Sequence, residues 1–405
     1  MSIEPFVIVG AGHAARRAAE TLRERDADAR IVMIGAETEL PYDRPVLSKD
    51  ALMSEAGEQR AFIRDRTWYD AQRIELRLGV PVDAIDRHAR SVRLEDGTSL
   101  AYRKLLIATG SRVRRLNGAV DGDVPLHYVR TVADARALRA ALAPGKRVVV
   151  IGGGFIGLEV AASAAKIGCT VTLVERSAGV LQRSMPAVIG EFILSLHVGQ
   201  GVDVQLRTGV QDIRRTGDIV RVETDRGAID ADVVVVGIGV VPNVELAQQA
   251  GLAVNNGIVV DEYCRTADTA IFAAGEVTQH FNPWLGRHVR VESWQVAENQ
   301  PAIAAANMLD GDETYAEIPW LWSDQYDCNL QTLGIFNAQQ TLVTRANGGE
   351  QSFTVLGLGV SGAIEAVAAV NAGKDIAACR RLMTAKKCVD ASALADVSVA
   401  LRSML

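Results

Sequence analysis

Two glycine-rich turns, Gly10-Ala11-Gly12-His13-Ala14-Ala15 and Gly152-Gly153-Gly154-Phe155-Ile156-Gly157, hold the residue types and spacing that can do chemistry here. Gly10, Gly12 and Ala15 make a GxGxxA; Gly152, Gly154 and Gly157 make a GxGxxG. The first glycine of such a turn permits a sharp bend and the second lets backbone N–H groups approach a pyrophosphate. The last small residue lets the following helix pack closely on its strand. A helix N-terminus placed there adds unpaired donors and the positive end of its dipole. Each motif also ends on an acid that can accept from ribose hydroxyls, Glu37 in the first copy and Glu175 in the second. A glycine turn without a ligand is the alternative for either copy alone. Two copies in full context point to two bound dinucleotides, and an enzyme that holds two usually passes electrons between them.

The elements that must position these turns are legible around them. Phe6-Val7-Ile8-Val9 and Val148-Val149-Val150-Ile151 are short apolar runs of the kind that form strands buried on both faces. Ala15, Ala18, Ala19 and Leu22 recur at helical spacing behind the first turn, and 158–167 is a nearly all-apolar helix behind the second. Second strands follow at 30–34 and 170–174. Three more strand-and-turn segments repeat the logic: 104–107 before Ala108-Thr109-Gly110, a Val-rich run before Gly237-Ile238-Gly239, and 271–274 before Gly275-Glu276. Open α/β sheets bind ligands at the C-terminal ends of their strands, where Glu276 would stand. A plain core strand followed by a turn is the alternative for each. Short strands are expected at 330–335, 340–345, 352–358 and 363–370, with Asn347-Gly348-Gly349 as a hairpin signal and a helix near 375–382. The expected fold class is α/β: two Rossmann-like dinucleotide-binding domains plus a C-terminal α+β domain. The first dinucleotide domain is expected to be discontinuous, 1–112 and 246–320, the second to span 113–245, and the C-terminal domain 321–405.

Composition narrows the function classes. The chain has 405 residues, 48% of them hydrophobic, and a net charge of −6, which argues against a nucleic-acid binder because phosphate neutralisation needs a basic face. No apolar run reaches the roughly 18 residues of a spanning helix, and Met1-Ser2-Ile3-Glu4-Pro5 lacks the basic start of a secretory signal. Five scattered cysteines, Cys169, Cys264, Cys328, Cys379 and Cys388, form no disulfide framework and no CxxC metal or dithiol motif, so a reducing cytoplasm and no metal are expected. Glycine, at 36 residues, is in excess, consistent with backbone packed tightly against something.

These features resemble the two-dinucleotide flavoprotein reductases of the glutathione-reductase fold. Narrower segments resemble the NADH-dependent ferredoxin reductases of oxygenase systems. They are Pro41-Tyr42-Asp43-Arg44-Pro45-Val46-Leu47-Ser48-Lys49, Glu292-Ser293-Trp294 with Asn299-Gln300, and Pro319-Trp320-Leu321-Trp322-Ser323-Asp324-Gln325. The likeness covers essentially the whole chain. It implies FAD at the first turn, held by Gly10, Gly12, Ala15, Glu37, Arg44, Pro45, Lys49, Ala108, Thr109, Gly110, Gly275 and Glu276. It implies NADH at the second, held by Gly152, Gly154, Gly157, Glu159, Glu175, Gly237, Ile238 and Gly239. It further implies catalytic roles for Lys49, Glu159, Trp294 and Trp322: Lys49 near the flavin N5 and paired with Glu159, the tryptophans beside the isoalloxazine. Without the resemblance, Lys49 would read as an exposed helix lysine. Two departures stand out: the family's Gly-Asp is Gly275-Glu276 here, one methylene longer, and His13 and Arg16 occupy the first phosphate turn, where a solvated His13 is expected.

The acceptor follows from the cysteines. No cysteine precedes Cys169, so no thiol relay can sit beside Lys49. The remaining outlet is a separate acceptor protein, and the resemblance implies a [2Fe–2S] ferredoxin that serves a cytochrome P450 or a ring-hydroxylating dioxygenase. Rubredoxin or a quinone as acceptor, or an NADH-sensing flavoprotein, are the alternatives. NADH is favoured over NADPH because Glu175 would bond a 2′-hydroxyl and repel a 2′-phosphate, although Arg176 and Arg183 follow closely. No membrane contact is expected, and the chain should be a monomer or weak homodimer. Basic docking candidates are Arg380, Arg381, Lys386 and Lys387, or Arg64, Arg66 and Arg73.

Overall fold

The computed structural model describes residues 4–116, 119–120, 124–349 and 351–405, and the chain divides into two compact units. The first comprises Met1–Pro45, Gln59–Arg112 and Val240–Glu317; the second comprises Val46–Glu58, Val113–Gly239 and Ile318–Leu405.

The first unit is built on a five-stranded parallel sheet, in the order Ile271–Ala273, Lys104–Ile107, Phe6–Val9, Ile31–Gly35, Ile74–Leu78. Strand alternation sends Phe6 and Ile8 to one face, where they pack with Ala15, Ala18, Ala19 and Leu22 of the His13–Arg25 helix and Ala304 and Met308 of the Trp294–Met308 helix. Val7 and Val9 go to the other face, against Ile85, Val92 and Leu94 of a small antiparallel sheet, Val82–Asp86, Ser91–Leu94 and Ser99–Ala101. Covering both faces is what lets a run of apolar residues with no polar alternation form a parallel strand.

The second unit repeats the plan. Its parallel sheet runs Leu126–His127, Val233–Val236, Arg147–Ile151, Thr170–Glu175, Asp203–Leu206, with Arg147–Ile151 at the centre and the Phe155–Ile167 helix following it. A five-stranded antiparallel sheet completes the unit, in the order Trp320–Gln325, Cys328–Gly334, Ile364–Val370, Ser352–Leu358, Thr341–Gly349, with the Gly373–Thr384 helix against it. The fold is thus mixed α/β with two dinucleotide-type sheets and a C-terminal α+β layer.

Three features differ from the sequence reading. Val46–Glu58 packs in the second unit because the buried Glu58 carboxylate binds Arg136 and Arg139 (2.7 and 2.9 Å), and Arg139 also donates to Ala51 O at 2.6 Å. The C-terminal sheet packs in that unit too, and has a strand, Trp320–Gln325, that the tryptophan-rich motif concealed. The strand expected to end near 345 runs on through Gly349, with a register shift between Ala346 and Gly349, the local irregularity that glycine tolerates; Glu350 lies outside the described residues.

Candidate functional site

In the first unit the GxGxxA turn makes the sharp bend and the close helix packing that its spacing implies. Gly10 sits at φ 119°, and a side-chain carbon there would lie 2.2 Å from Ala108 O, so only glycine lets the two strands approach. Gly12 caps the His13–Arg25 helix with no side-chain hydrogen bond, and a carbon added to it would find only Arg44 Nη2, at 3.8 Å. An uncapped helix N-terminus with open space before it and a guanidinium alongside is a cradle for a pyrophosphate. Ala15 is fully buried against the sheet. Glu37 accepts from Tyr42 Oη at 2.5 Å and Arg44 Nη2 at 2.8 Å, and Arg44 also donates to Tyr42 Oη at 2.9 Å. Burial alone would lower the Arg44 pKa, but Tyr42 and Glu37 outweigh it and hold the guanidinium charged. Pro45, the next residue, is half-buried.

The turns after the other two strands converge on the same edge of the sheet. Thr109 Oγ1 donates to Asn243 O at 2.7 Å, Asn243 Nδ2 donates to Thr109 O at 2.9 Å, and Asn243 N donates to Gly110 O at 2.9 Å. Gly275 N donates to Gln300 Oε1 at 2.7 Å, Thr278 Oγ1 to the same oxygen at 3.1 Å, and the half-buried Glu276 follows. Gln300 Nε2 is left buried with no partner among the described residues, a donor that a bound group would satisfy. Trp294 donates from Nε1 to Asp43 Oδ1 at 3.2 Å. These residues fit a bound FAD.

His13 is not solvated. Its ring lies between two carboxylates, Asp43 at Nδ1 and Glu298 at Nε2 (2.6 Å), with Trp294 edge-on at 5.3 Å. Burial lowers its pKa, but hydrogen bonds to Asp43 and Glu298 outweigh that and raise it above the usual value. Arg16 is buried as well, on Glu20 and Glu298 at 2.5 and 2.7 Å. Sequence reading saw only two polar residues at a phosphate turn, because Glu298, the carboxylate they share, lies 285 residues beyond His13 and 282 beyond Arg16.

The second turn repeats the first. Gly152 has φ 110° and would clash with Gly237 O at 2.5 Å if it bore a side chain, while Gly154 caps its helix without a side-chain bond and has nothing within 4 Å. A carbon at Gly157 would lie 2.0 Å from Gly152 O, so this glycine serves helix–turn packing. Glu175 accepts from Gly153 N and Ser177 N, both at 2.6 Å, which fixes the carboxylate at the strand end and leaves each oxygen a further lone pair for a ribose hydroxyl. Gly237 N donates to Ile151 O at 2.8 Å, Ile238 is half-buried, and Gly239 O accepts from Arg114 N at 2.9 Å. This arrangement fits NADH.

Lys49, Glu159 and Trp322 all fall in the second unit, Trp294 in the first. Glu159, 4% exposed, accepts from Lys49 Nζ at 3.1 Å. It also accepts from Ser48 Oγ at 2.5 Å and Ser323 Oγ at 2.7 Å, two residues that sequence reasoning missed. Both lay inside quoted motifs, and the signal was their position directly beside Lys49 and Trp322. Ser163 Oγ, one helical turn past Glu159, holds Ser48 O at 2.8 Å. Trp322 stacks on Trp320, centroids 5.0 Å apart at 26°.

Comparisons with known proteins extend along the chain. Residues 4–301 match the family described as pyridine nucleotide-disulphide oxidoreductase, and residues 320–405 match the reductase C-terminal family. The ferredoxin–NAD(+) reductase component of the anthranilate 1,2-dioxygenase system of Burkholderia cepacia is 65% identical over 406 residues, covering 100% of both chains. Putidaredoxin reductase CamA of Pseudomonas putida is 36% identical over 98% of this chain and 96% of its own. The crystal structure of the ferredoxin reductase for the CYP199A2 system from Rhodopseudomonas palustris superposes with a TM-score of 0.94 at 35% identity, covering 99% of each chain. The covalent putidaredoxin reductase–putidaredoxin complex gives 0.94 at 35%, covering 100% and 98%. The first of these family matches spans residues 4–301, well over half of the chain, so the chain belongs to the pyridine nucleotide-disulphide oxidoreductase family, FAD-binding enzymes that use NAD(H).

Proposed function

We propose that this chain is an NADH-dependent ferredoxin reductase that passes electrons to a separate [2Fe–2S] ferredoxin serving a ring-hydroxylating dioxygenase, and that it works in the cytoplasm. The observation that carries the reading is the 65% identity, over the full length of both chains, with a reductase component named for a dioxygenase system. FAD, when bound, accepts an electron pair as hydride from NADH and gives electrons up singly. In this reading Gly12 and Arg44 receive the FAD pyrophosphate, Glu37 the adenosine ribose, and Gly275 with Glu276 the ribityl chain. Gly154 receives the NADH pyrophosphate and Glu175 its ribose. Lys49, held by Glu159, would supply a cation to the flavin, the role its family motif implies, and Trp294 and Trp322 are assigned to the same cofactor on the same ground.

The cysteines support an external acceptor. Burial pushes the Cys328 thiol up to about 11 and Cys379 to about 12, and raises Cys264 further, so these stay protonated at neutral pH and are poor nucleophiles. The test mixes enzyme, NADH and cytochrome c with and without ferredoxin. Reduction should depend on added ferredoxin; fast reduction that ferredoxin does not change would refute the reading, and rubredoxin or a quinone in its place tests the rival acceptors.

A further inference from the structure

We infer that His197, through Gln325 and Ser323, is a positioning residue for the Lys49–Glu159 pair. The inference rests on the assignment of that pair to the flavin. It comes from following which atoms can donate. Lys49 has only donors and an ionised Glu159 has only acceptors, so the Ser323 hydroxyl proton must point at Glu159. The Ser323 oxygen then accepts from Gln325 Nε2 at 3.1 Å, which turns Gln325 Oε1 toward His197 Nε2 at 2.8 Å. An amide oxygen cannot donate, so Nε2 of His197 carries the ring proton. Its Nδ1 accepts from Tyr326 Oη at 3.2 Å. The charge on Glu159 thereby dictates the tautomer of a histidine three hydrogen bonds away, and that tautomer in turn holds every intervening group in one orientation.

The chain is built from three elements and is closed to solvent. Glu159 lies on the Phe155–Ile167 helix and His197 on the Ala187–Gly199 helix, while alternation along Trp320–Gln325 puts Ser323 and Gln325 on one face. Ser323, Gln325 and His197 are each at most 2% exposed. Burial lowers the His197 pKa, which favours the neutral ring that the donor pattern requires. Tyr326 stands at φ 54°, a region costly for a non-glycine residue, with its ring edge-on to His197 at 5.1 Å. Lys166, the charged group against Tyr326, donates to its carbonyl at 3.2 Å.

The test uses the FAD-loaded enzyme with ¹⁵N-labelled histidine. Long-range ¹H–¹⁵N correlations should show His197 as the Nε2–H tautomer in the wild type and a loss of that single tautomer in Ser323→Ala. Reduction by NADH should slow on the order of tenfold in His197→Leu, with KM for NADH unchanged. His197→Gln, whose amide can still donate to Gln325, should restore most of the rate. Lys49→Met sets the scale. A Lys49→Met enzyme that reduces as fast as wild type overturns the flavin assignment and this inference with it. A slow Lys49→Met enzyme beside a His197→Leu enzyme of wild-type rate overturns the positioning chain alone, as does an Nδ1–H tautomer in the wild type. Should His197→Leu not fold, Ser323→Ala, which removes a single hydroxyl, gives the same kinetic comparison.

Discussion

Two side chains, the Glu175 carboxylate and the His13 imidazole, show how much a single residue decides. Glu175 is fixed by two backbone N–H groups, so under the proposed assignment its remaining lone pairs would meet a ribose in a set direction and its charge would oppose a 2′-phosphate. Glu175→Ala should raise KM for NADH about tenfold, the worth of one charge-assisted hydrogen bond, and narrow the gap to NADPH. Steady-state kinetics with both coenzymes check this, and unchanged constants would remove Glu175 from the site. His13 is the converse case, a base held between Asp43 and Glu298, both acceptors only, so both ring nitrogens are best served by the imidazolium. Its raised pKa means that the folded state binds the proton more tightly than the unfolded one. The resulting stability is fully present below the unfolded value of about 6.5 and is lost as pH rises through the higher folded value. Thermal melts should therefore show the wild type's advantage over His13→Gln largest near pH 6 and shrinking toward pH 9. An advantage that stays constant with pH would mean that His13 acts through packing and not charge.

At the scale of elements, the glycines of one turn separate into those that serve a ligand and those that serve the fold. Gly154 has ordinary extended backbone and open space, so Gly154→Ala should melt like wild type while KM for NADH rises about tenfold or more, because under the proposed assignment the methyl group would stand where the pyrophosphate approaches. Gly157→Ala puts a carbon 2.0 Å from Gly152 O and should lower the melting temperature instead. Equal losses of stability in the two variants would contradict the division. The central strands, the sharp bends at Gly10 and Gly152 and the close packing at Gly157 were legible in the sequence because they are local: a strand, a turn and a helix within about 30 residues. What stayed hidden was long-range. Ser48 and Ser323 meet Glu159 from 111 and 164 positions away, and no period or spacing encodes that. Lys49 was legible only through its family motif. His13 was misread for the same physical reason, since Glu298, 285 residues on, is what makes its burial tolerable.

At the scale of the whole molecule, the proposed function asks a chain of net charge −6 to receive a ferredoxin, and toward a partner that is itself acidic, long-range and short-range electrostatics oppose each other. Of the two basic clusters, Arg64 is spent on Glu20 at 2.9 Å and on the face of Trp68, and Arg73 on the Ala27 carbonyl. Arg381, Lys386 and Lys387, at the end of the Gly373–Thr384 helix and just beyond it, are exposed and close in sequence. A local patch acts within about one Debye length, roughly 10 Å at 0.1 M salt, whereas net repulsion is felt farther out and is screened first. KM for ferredoxin should accordingly pass through a minimum as salt is raised from about 0.01 M to about 1 M: repulsion is relieved first, and the patch is screened after it. Reversing the three charges to glutamate should abolish that minimum, raise KM for ferredoxin about tenfold at moderate salt, and leave NADH-to-ferricyanide turnover unchanged, since that acceptor needs no protein docking. A ferredoxin KM in the triple variant equal to wild type at every salt concentration would move the docking face elsewhere on the molecule.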